Sequence, residues 1–319
     1  IADLTSPTVV ITSAAADPIN GAFTATFTFS EAVTGFAVGD ISVSNGTASN
    51  FASTSTTVYT ALITPTTDGA VTIDVAANVA QDVATNGNTT ATQFSIAADL
   101  TSPTVLITSA AADPINGAFL ITVTFSEAVT GFTIEDITVT NGTTNTFTST
   151  SPSVYTTSIS PQADGVVTVD VLENIAEDVA RNGNIPATQF SINADMTAPD
   201  LSLSGVPAEL NNFEPFTVTY AFTEKVTGFV ATDFELINAE VVGFSTTDNV
   251  NYKVSFKAIS NQGVRLTLPV NTVQDLAANA NAIETAVDIS FNSLPKDISL
   301  SGLSIDENNL LAAEIGQLT

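Results

Sequence analysis

Acidic and amide side chains recur at fixed positions along this 319-residue chain and are its main candidates for chemistry. Three sets can be read from the sequence, each with three aspartates, one glutamate and one asparagine. The sets are Asp3, Glu31, Asp40, Asp82 and Asn86; Asp99, Glu127, Asp136, Asp178 and Asn182; and Asp195, Glu224, Asp233, Asp275 and Asn279. Calcium takes six to eight such hard oxygen ligands in irregular geometry, whereas magnesium requires a stricter octahedron. The pattern therefore predicts calcium as the cofactor.

Turn formation is the alternative interpretation of the same residues. Asp and Asn side chains commonly bond nearby backbone N–H groups in turns, and acid-rich surfaces also keep proteins soluble. We expect this simpler role for Asp17, Asp68 and Asp74. The spacing Asp82-x-x-x-Asn86-Gly-Asn88 is not that of an EF-hand loop, which needs Asp-x-Asp-x-Asp-Gly and a twelfth-position Glu. For the recurrent sets both interpretations stay open.

The composition excludes several classes of site and partner. The chain has no Cys, His or Trp, so Ser-His-Asp and Cys-His catalysis, His- or Cys-ligated metals and disulfides are impossible. The chain has 6 Lys+Arg against 33 Asp+Glu and a net charge of −27, which repels nucleic acid and anionic membranes. No apolar run approaches the ~20 residues of a membrane span. We predict neither nucleic-acid binding nor direct membrane insertion.

The elements that must position these residues follow from an internal repeat. Asp3-Leu-Thr-Ser-Pro7 returns as Asp99-Leu-Thr-Ser-Pro103 and as Asp195-Met-Thr-Ala-Pro199, at intervals of 96 residues. Residues 3–98 and 99–194 are identical at 66 of 96 positions, whereas the third copy has diverged. Such periodicity indicates repeated structural units. We predict three domains, 1–98, 99–194 and a divergent 195–293, followed at 294–319 by the start of another module.

Within each copy, apolar residues alternate with Thr and Ser. Phe23-x-Ala-x-Phe-x-Phe29 and Val71-x-Ile-x-Val75 are two such runs, and alternation of this kind predicts strands with one face in a core. Asn-Gly and Asp-Gly pairs supply turns between the runs. About seven short strands per copy are typical of an Ig-like β-sandwich. The fold class is therefore all-β, with tandem Ig-like antiparallel sandwiches joined by very short linkers as an elongated rod.

The copies resemble the bacterial Ig-like repeats of large secreted, RTX-type biofilm adhesins. The resemblance rests on Asp-x-Thr-x-Pro, on Phe-Ser-Glu-x-Val-x-Gly-Phe (29–36 and 125–132) and on Asp-x-Ala-x-Asn-Gly-Asn (82–88). The third copy departs from it, since Lys225 follows Glu224 and Asn279-Ala-Asn281 lacks the Gly. The tail resembles the opening of a cadherin-like repeat through Ile305-Asp-Glu-Asn308, which implies that Glu307 is a further calcium ligand.

An Ig-like sandwich brings the chain start, the B–C loop and the F–G loop to one pole. Glu31 falls in the B–C loop, Asp82 and Asn86 fall in the F–G loop, and Asp40 lies just before the next strand. In a rod, this pole faces the A–B and E–F loops of the preceding domain. We therefore expect calcium at or near the junctions, where it would fix the angle between domains.

The predicted function is mechanical: a non-catalytic extender of an extracellular, cell-surface bacterial adhesin, whose partners are neighbouring domains of the same chain. The alternative is a subunit of an extracellular filament or surface layer, which would contact copies of itself. Paired carboxylates can serve a glycosidase, but active sites are seldom copied in tandem. Carbohydrate binding usually needs exposed aromatic residues, and the chain has 4 Tyr and no Trp.

Two recurrent features are expected to be structural or incidental. Tyr59, Tyr155 and Tyr252 occupy one position of the repeat, and we expect them to pack a strand or form an Ig-type tyrosine contact. Glycosylation sequons at Asn45, Asn88 and Asn141 are expected by chance in a chain so rich in Asn and Thr.

Overall fold

The computed structural model describes residues 3–292, and these residues form an all-β protein of three Ig-like domains. Within this range there is no α-helix, and no helix of the described chain is long and apolar enough to cross a bilayer. The segment 294–319, predicted to begin a cadherin-like module, lies outside the described residues, as does Glu307.

Domain 1 folds as two sheets because its apolar residues alternate along each strand. Phe23, Ala25, Phe27 and Phe29 are all buried, with Thr between them. The strands are β1 (Val9–Thr12), β2 (Phe23–Phe29), β3 (Ile41–Ser44), β4 (Gly46–Ser53), β5 (Val58–Pro65), β6 (Gly69–Val75) and β7 (Phe94–Ala98). One sheet has the order β1-β2-β5-β4 and the other β3-β6-β7. These correspond to strands A-B-E-D and C-F-G of a seven-stranded Ig domain.

Domain 2 repeats this arrangement strand for strand. Its strands are β8 (Val105–Ser109), β9 (Phe119–Phe125), β10 (Ile137–Thr140), β11 (Gly142–Ser151), β12 (Val154–Pro161), β13 (Gly165–Val171) and β14 (Phe190–Ala194). The sheets have the orders β8-β9-β12-β11 and β10-β13-β14, with antiparallel neighbours. The two copies, which are highly identical in sequence, therefore share the same strand pairing and the same loops.

Domain 3 keeps the topology despite its divergent sequence. Its strands are β15 (Leu201–Ser204), β16 (Glu209–Leu210), β17 (Phe216–Phe222), β18 (Glu235–Ile237), β19 (Ala239–Thr246), β20 (Asn251–Ala258), β21 (Val264–Leu268) and β22 (Thr285–Phe291). The sheets have the orders β15-β17-β20-β19 and β16-β22-β21-β18. Strand β16 pairs in parallel with β22, where domain 1 has only the parallel bridge Ile19–Ala98.

A buried tyrosine ties one sheet of each domain to the B–C loop. The Tyr59 hydroxyl donates to the Val33 carbonyl at 3.0 Å, and its ring packs edge-on against Phe29 and Phe36. Tyr155 and Tyr252 bond the equivalent carbonyls at 3.5 and 3.4 Å. These tyrosines have the structural role expected of them.

The chain divides into two compact units. One unit contains domains 1 and 2, apart from the segment Ala112–Asn116, and the other contains domain 3 together with that segment. Within the second unit, the Asp195 N–H donates to the Ile115 carbonyl at 2.8 Å. The elongated rod stays a prediction.

Candidate metal centre

Three carboxylates meet at the same pole of every domain. The groups are Asp3, Glu31 and Asp82; Asp99, Glu127 and Asp178; and Asp195, Glu224 and Asp275. In each group, one oxygen from every member lies within 4.8 Å of the others. Calcium binds oxygen at 2.3–2.6 Å, so two oxygens on one ion lie at most about 5.2 Å apart. The spacing therefore suits a shared calcium ion, for which each group supplies three hard ligands. We call these groups the carboxylate trios.

The B–C loop holds the glutamate of the trio by burying the apolar residues around it. In domain 1, Val33 and Phe36 are buried on either side of a turn in which Gly35 has φ +87°. The Thr34 N–H donates to the Gln81 carbonyl at 2.8 Å, and the Gln81 N–H returns a bond at 3.0 Å. The recurrent Phe-Ser-Glu-x-Val-x-Gly-Phe block thus joins the B–C loop to the F–G loop and brings Glu31 near Asp82.

The aspartate of the trio is fixed by the asparagine four residues later. Asp82 Oδ1 accepts the Asn86 N–H at 2.8 Å, and Oδ2 accepts Asn86 Nδ2 at 2.8 Å. Asn86 Nδ2 also donates to the Asp3 carbonyl at 3.1 Å. Domains 2 and 3 repeat these bonds with Asn182 and Asn279. By donating to both, the asparagine holds the start of the domain and the F–G loop together, and so positions two members of the trio.

A second asparagine of the F–G loop, Asn88, is buried. Asn88 is 1% exposed, and its Oδ1 accepts the N–H groups of Val79 and Ala80, both at 2.9 Å. Its Nδ2 donates to the carbonyls of Ala76 and Thr89, both at 2.8 Å. Asn184 and Asn281 repeat the role. The Asn88 side chain is therefore fully engaged in the folded loop.

This clamp was not predicted: Asn88 was interpreted only as part of the F–G loop motif and as a chance glycosylation sequon. The available signal was the recurrence of the second Asn in all three copies, including Asn281, where the intervening Gly has become Ala. An amide that bonds four backbone groups cannot be replaced by a simple turn residue, because buried polar groups require partners.

Electrostatic strain concentrates on the glutamate of the trio. Burial raises the pKa of Glu31, and the neighbouring carboxylates of Asp82 and Asp3 raise it further. Burial likewise raises the pKa of Glu127, with added repulsion from Asp99, Asp178 and Asp68. No hydrogen bond or ion pair to either glutamate side chain occurs among residues 3–292. A cation at this position would relieve the repulsion.

Hydrogen bonds act in the opposite direction on the aspartate. Burial disfavours ionisation of Asp82, but bonds from the Asn86 side chain and from the backbone outweigh it, so the pKa of Asp82 is lowered. The trio therefore contains one carboxylate whose charge is stabilised by the protein and one whose charge is not. Hydrogen bonds thus favour the charged form of Asp82, whereas burial and neighbouring carboxylates disfavour that of Glu31.

The structure does not bring the aspartate before strand C into the trio. Asp40 Oδ2 accepts the Ala37 N–H at 2.8 Å and closes a short 3-10 turn, Val38–Asp40. Asp136 and Asp233 bond Thr133 and Val230 in the same way. Turn formation accounts for the geometry of Asp40, Asp136 and Asp233. Of the five residues predicted for each site, three carboxylates lie together, and the asparagine hydrogen-bonds one of them.

The second trio lies beside the contact between domains 1 and 2. Asp68, in the E–F loop of domain 1, accepts the Leu100 N–H at Oδ1 (2.6 Å) and the Thr101 hydroxyl at Oδ2 (2.5 Å). Those bonds lower the pKa of Asp68, and its charge in turn acts on Glu127. Asp68 was expected to shape only its own turn; it also joins two domains. Asp17 and Asp74 bond within domain 1, to the Ala97 N–H and to Gln93.

Divergence in domain 3 leaves its trio intact. Lys225 follows Glu224 but is exposed, and the change from Gly to Ala at position 280 keeps the bridge between Gln274 and that residue. Asp275 is 2% exposed, as buried as its counterparts Asp82 and Asp178. The candidate site is thus retained in the divergent copy.

Comparison with known proteins gives a family and a set of weakly similar structures. A family profile described as Bacterial Ig-like domain matches residues 3–98, 99–193 and 195–307. No curated protein matches the chain.

Three solved structures illustrate the structural similarity. The bacterial integrin-binding protein invasin has a TM-score of 0.37 at 14% identity, over 93% of this chain and 62% of its own length. Yersinia pseudotuberculosis InvD has a TM-score of 0.36 at 13% identity, over 90% and 98%. A tetra-tandem repeat in the extending region of a large adhesion protein has a TM-score of 0.31 at 16% identity, over 90% and 74%. The chain thus spans less than two thirds of the invasin structure.

Proposed function

The chain belongs to the bacterial Ig-like domain family, and from this premise we propose that it is a non-catalytic extender segment of a bacterial cell-surface adhesin. Calcium would bind the carboxylate trios and stiffen the series of domains. The observation that carries the proposal is the recurrence of one trio at one pole of each domain, with the second trio beside the contact between domains 1 and 2.

The charge distribution supports a cation at these positions. Residues 3–98 hold seven Asp and Glu and no Lys or Arg, so no salt bridge within domain 1 can neutralise Glu31. Calcium would take one oxygen from each member of the trio, and water or backbone carbonyls would complete its coordination. The asparagine clamps hold the carboxylates close together without it, so the ion would enter a preformed group of ligands.

The surface features support a mechanical role over a catalytic one. The chain lacks His and Cys, so catalysis through a histidine base or a cysteine nucleophile is impossible. Every domain repeats the same arrangement, as an extender requires. An extracellular location at the bacterial surface is part of this proposal, since calcium concentrations outside cells suit sites of modest affinity, with Kd on the order of 10⁻⁴–10⁻³ M.

Thermal unfolding of the full chain, in EDTA and in about 10 mM calcium, tests the proposal. For a Kd near 10⁻⁴ M, calcium that binds only the folded state stabilises it by roughly 2.7 kcal/mol. For a domain of this size we expect the Tm to rise by about 10–20 °C. Glu127→Gln removes one ligand and should reduce the rise for domain 2, whereas the matched variant Asp170→Asn, whose carboxylate bonds Gln189, should not.

An unchanged Tm in calcium would remove the metal from the proposal. The same samples also address the filament alternative, because a subunit of a filament or layer would form larger species as its concentration rises, whereas an extender would stay monomeric. Sedimentation of the chain over a tenfold or greater range of concentration distinguishes the two.

A further inference from the structure

The contact between domains 1 and 2 depends on a small number of polar groups. Asp68 of domain 1 receives the Leu100 N–H and the Thr101 hydroxyl of domain 2. Asn20 Nδ2 of domain 1 donates to the Arg181 carbonyl of domain 2 at 3.1 Å. Bonds from N–H and O–H donors to a carboxylate are charge-assisted and stronger than neutral ones. Asp68 is therefore the charged anchor of this contact, beside the backbone bond from the Asp99 N–H to the Ile19 carbonyl at 2.9 Å.

Domain 1 presents the same donor groups at its own N-terminal pole, where no residue among 3–292 accepts from them. Asp3-Leu4-Thr5 corresponds to Asp99-Leu100-Thr101. Leu4 is 85% exposed, whereas Leu100 is half-buried. Among residues 3–292, nothing accepts the Leu4 N–H or the Thr5 hydroxyl. Within the described part of the chain, the donors equivalent to those that anchor domain 2 to domain 1 thus have no acceptor in domain 1.

The segment that carries these donors has the same local hydrogen bonds as its counterpart in domain 2. Asp3 Oδ1 accepts the Thr5 N–H at 3.0 Å, as Asp99 Oδ1 accepts the Thr101 N–H at 3.3 Å. The Asp3 carbonyl is fixed by Asn86, as that of Asp99 is by Asn182. A surface that needs no rearrangement loses little entropy when it binds.

We propose that the N-terminal pole of domain 1 is a docking surface for the E–F loop of another Ig-like domain of this repeat type, whose Asp-Gly turn presents a carboxylate to Leu4 and Thr5. The inference rests on the proposed role of the chain as one segment of a longer series. It names the partner of that pole and the atoms that recognise it.

The partner is selected by the residue at the position of Asp68. Domains 1 and 2 have Asp68-Gly and Asp164-Gly in the E–F loop, whereas domain 3 has Gln262-Gly263. A neutral Gln forms weaker bonds with backbone and hydroxyl donors than a carboxylate does. The pole of domain 1 thus selects a domain like domains 1 and 2, and a second copy of this chain would not bind there through its domain 3.

Hydrogen exchange of the Leu4 amide tests the proposal. The full chain is compared with a chain in which residues 3–98 are added ahead of Asp3, so that Ala98 of the added copy precedes Asp3 as Ala98 precedes Asp99. We expect exchange at Leu4 to slow at least tenfold in the longer chain. In the added copy, Asp68→Asn should abolish the slowing, and Asp74→Asn, whose carboxylate bonds Gln93, should preserve it.

Equal exchange rates at Leu4 with and without the added copy would overturn the proposal, as would slowing that survives Asp68→Asn. The unlengthened chain supplies a second measurement, in which Asp68→Asn must accelerate exchange at Leu100. All samples are measured in EDTA. Loss of docking would therefore leave calcium binding by the trios untouched, and absence of calcium binding would leave the docking result standing.

Discussion

The Asp82 carboxylate receives two hydrogen bonds from one residue, Asn86, whose N–H and Nδ2 donate to separate oxygens at 2.8 Å each. The same residue reaches the Asp3 carbonyl. A four-residue spacing in the F–G loop thereby connects the start of the domain to its acidic pole. The repeat of this pair in domains 2 and 3 makes it the main structural support of each trio.

Removal of the supporting amide should weaken domain 2. In Asn182→Ala, Asp178 Oδ2 and the Asp99 carbonyl lose their donor, and an unsatisfied buried group costs about 1–3 kcal/mol. Urea unfolding should show this loss in the transition of domain 2. Asn145→Ala, at an exposed edge-strand position, is the matched control and should change stability by less than about 0.5 kcal/mol.

The buried asparagine should be the less replaceable of the two. Asn184→Ala deprives four backbone groups of their partners, those of Ile175, Ala176, Leu172 and Ile185. We expect a loss of 3 kcal/mol or more, on the order of the most damaging single substitutions. Urea unfolding would contradict this role if Asn184→Ala were no more destabilising than Asn182→Ala.

A strained backbone position offers a stabilising change. Thr85 has φ +68°, and the equivalent Arg181 and Ala278 have +71° and +67°. β-Branched residues rarely adopt this left-handed conformation, which Asn tolerates better. Thr85→Asn should therefore stabilise domain 1 by about 1 kcal/mol and raise its Tm by about 4–8 °C. Thr90→Asn, where φ is not positive, should leave the Tm unchanged in the same calorimetric scan.

The pH dependence of stability in EDTA should show two opposed regions. The pKa values of Glu31 and Glu127 are raised above 4.5. Their contribution to the free energy of unfolding is therefore fully present below pH 4.5 and is lost as the pH rises through the raised pKa. The pKa values of Asp68 and Asp82 are lowered from 3.8, and hydrogen bonds from Asn251 and the adjacent backbone lower that of Asp248 to about 2. Their contribution is present above pH 3.8 and falls away as acid protonates them.

Urea midpoints measured from pH 7 down to pH 2 test these signs. The midpoint should rise as the pH falls towards 4.5 and should drop below pH 3.8. Above pH 4.5, Glu127→Gln should make the urea midpoint of domain 2 less dependent on pH, because the Gln side chain does not titrate. In calcium the upper region should reverse, since protons then compete with the ion for the trio. A midpoint that falls steadily from pH 7 in EDTA would contradict the assignment.

The strands could be predicted from the alternation of apolar and polar residues, and the proximity of Glu31 to Asp82 from the positions of their loops in an Ig sandwich. Alternating residues such as Phe27 can only be buried on one face, and an Ig sandwich places the B–C and F–G loops at one pole. The role of Asp40 could not be predicted, since its carboxylate bonds backbone three residues away only once a 3-10 turn has formed. Before that turn is known, the Asp40 carboxylate is equally suited to binding a metal and to accepting a backbone N–H group.

The orientation of amide groups was also beyond prediction. Asn86 was expected to offer an oxygen to calcium, which stays a prediction; its nitrogen donates to the carboxylate of Asp82. Whether an Asn presents a donor or an acceptor depends on the surrounding charges in three dimensions. The same holds for Asp68, whose partners Leu100 and Thr101 lie over 30 residues away and become neighbours only when two domains meet.

Small-angle X-ray scattering of the full chain during a calcium titration tests the central claim most directly. If calcium binds the trios and stiffens the series of domains, the maximum dimension should increase and the distance distribution should sharpen with a saturable midpoint. Glu127→Gln should reduce that change, and Asp170→Asn should not. Superimposable profiles in EDTA and in saturating calcium would contradict the account.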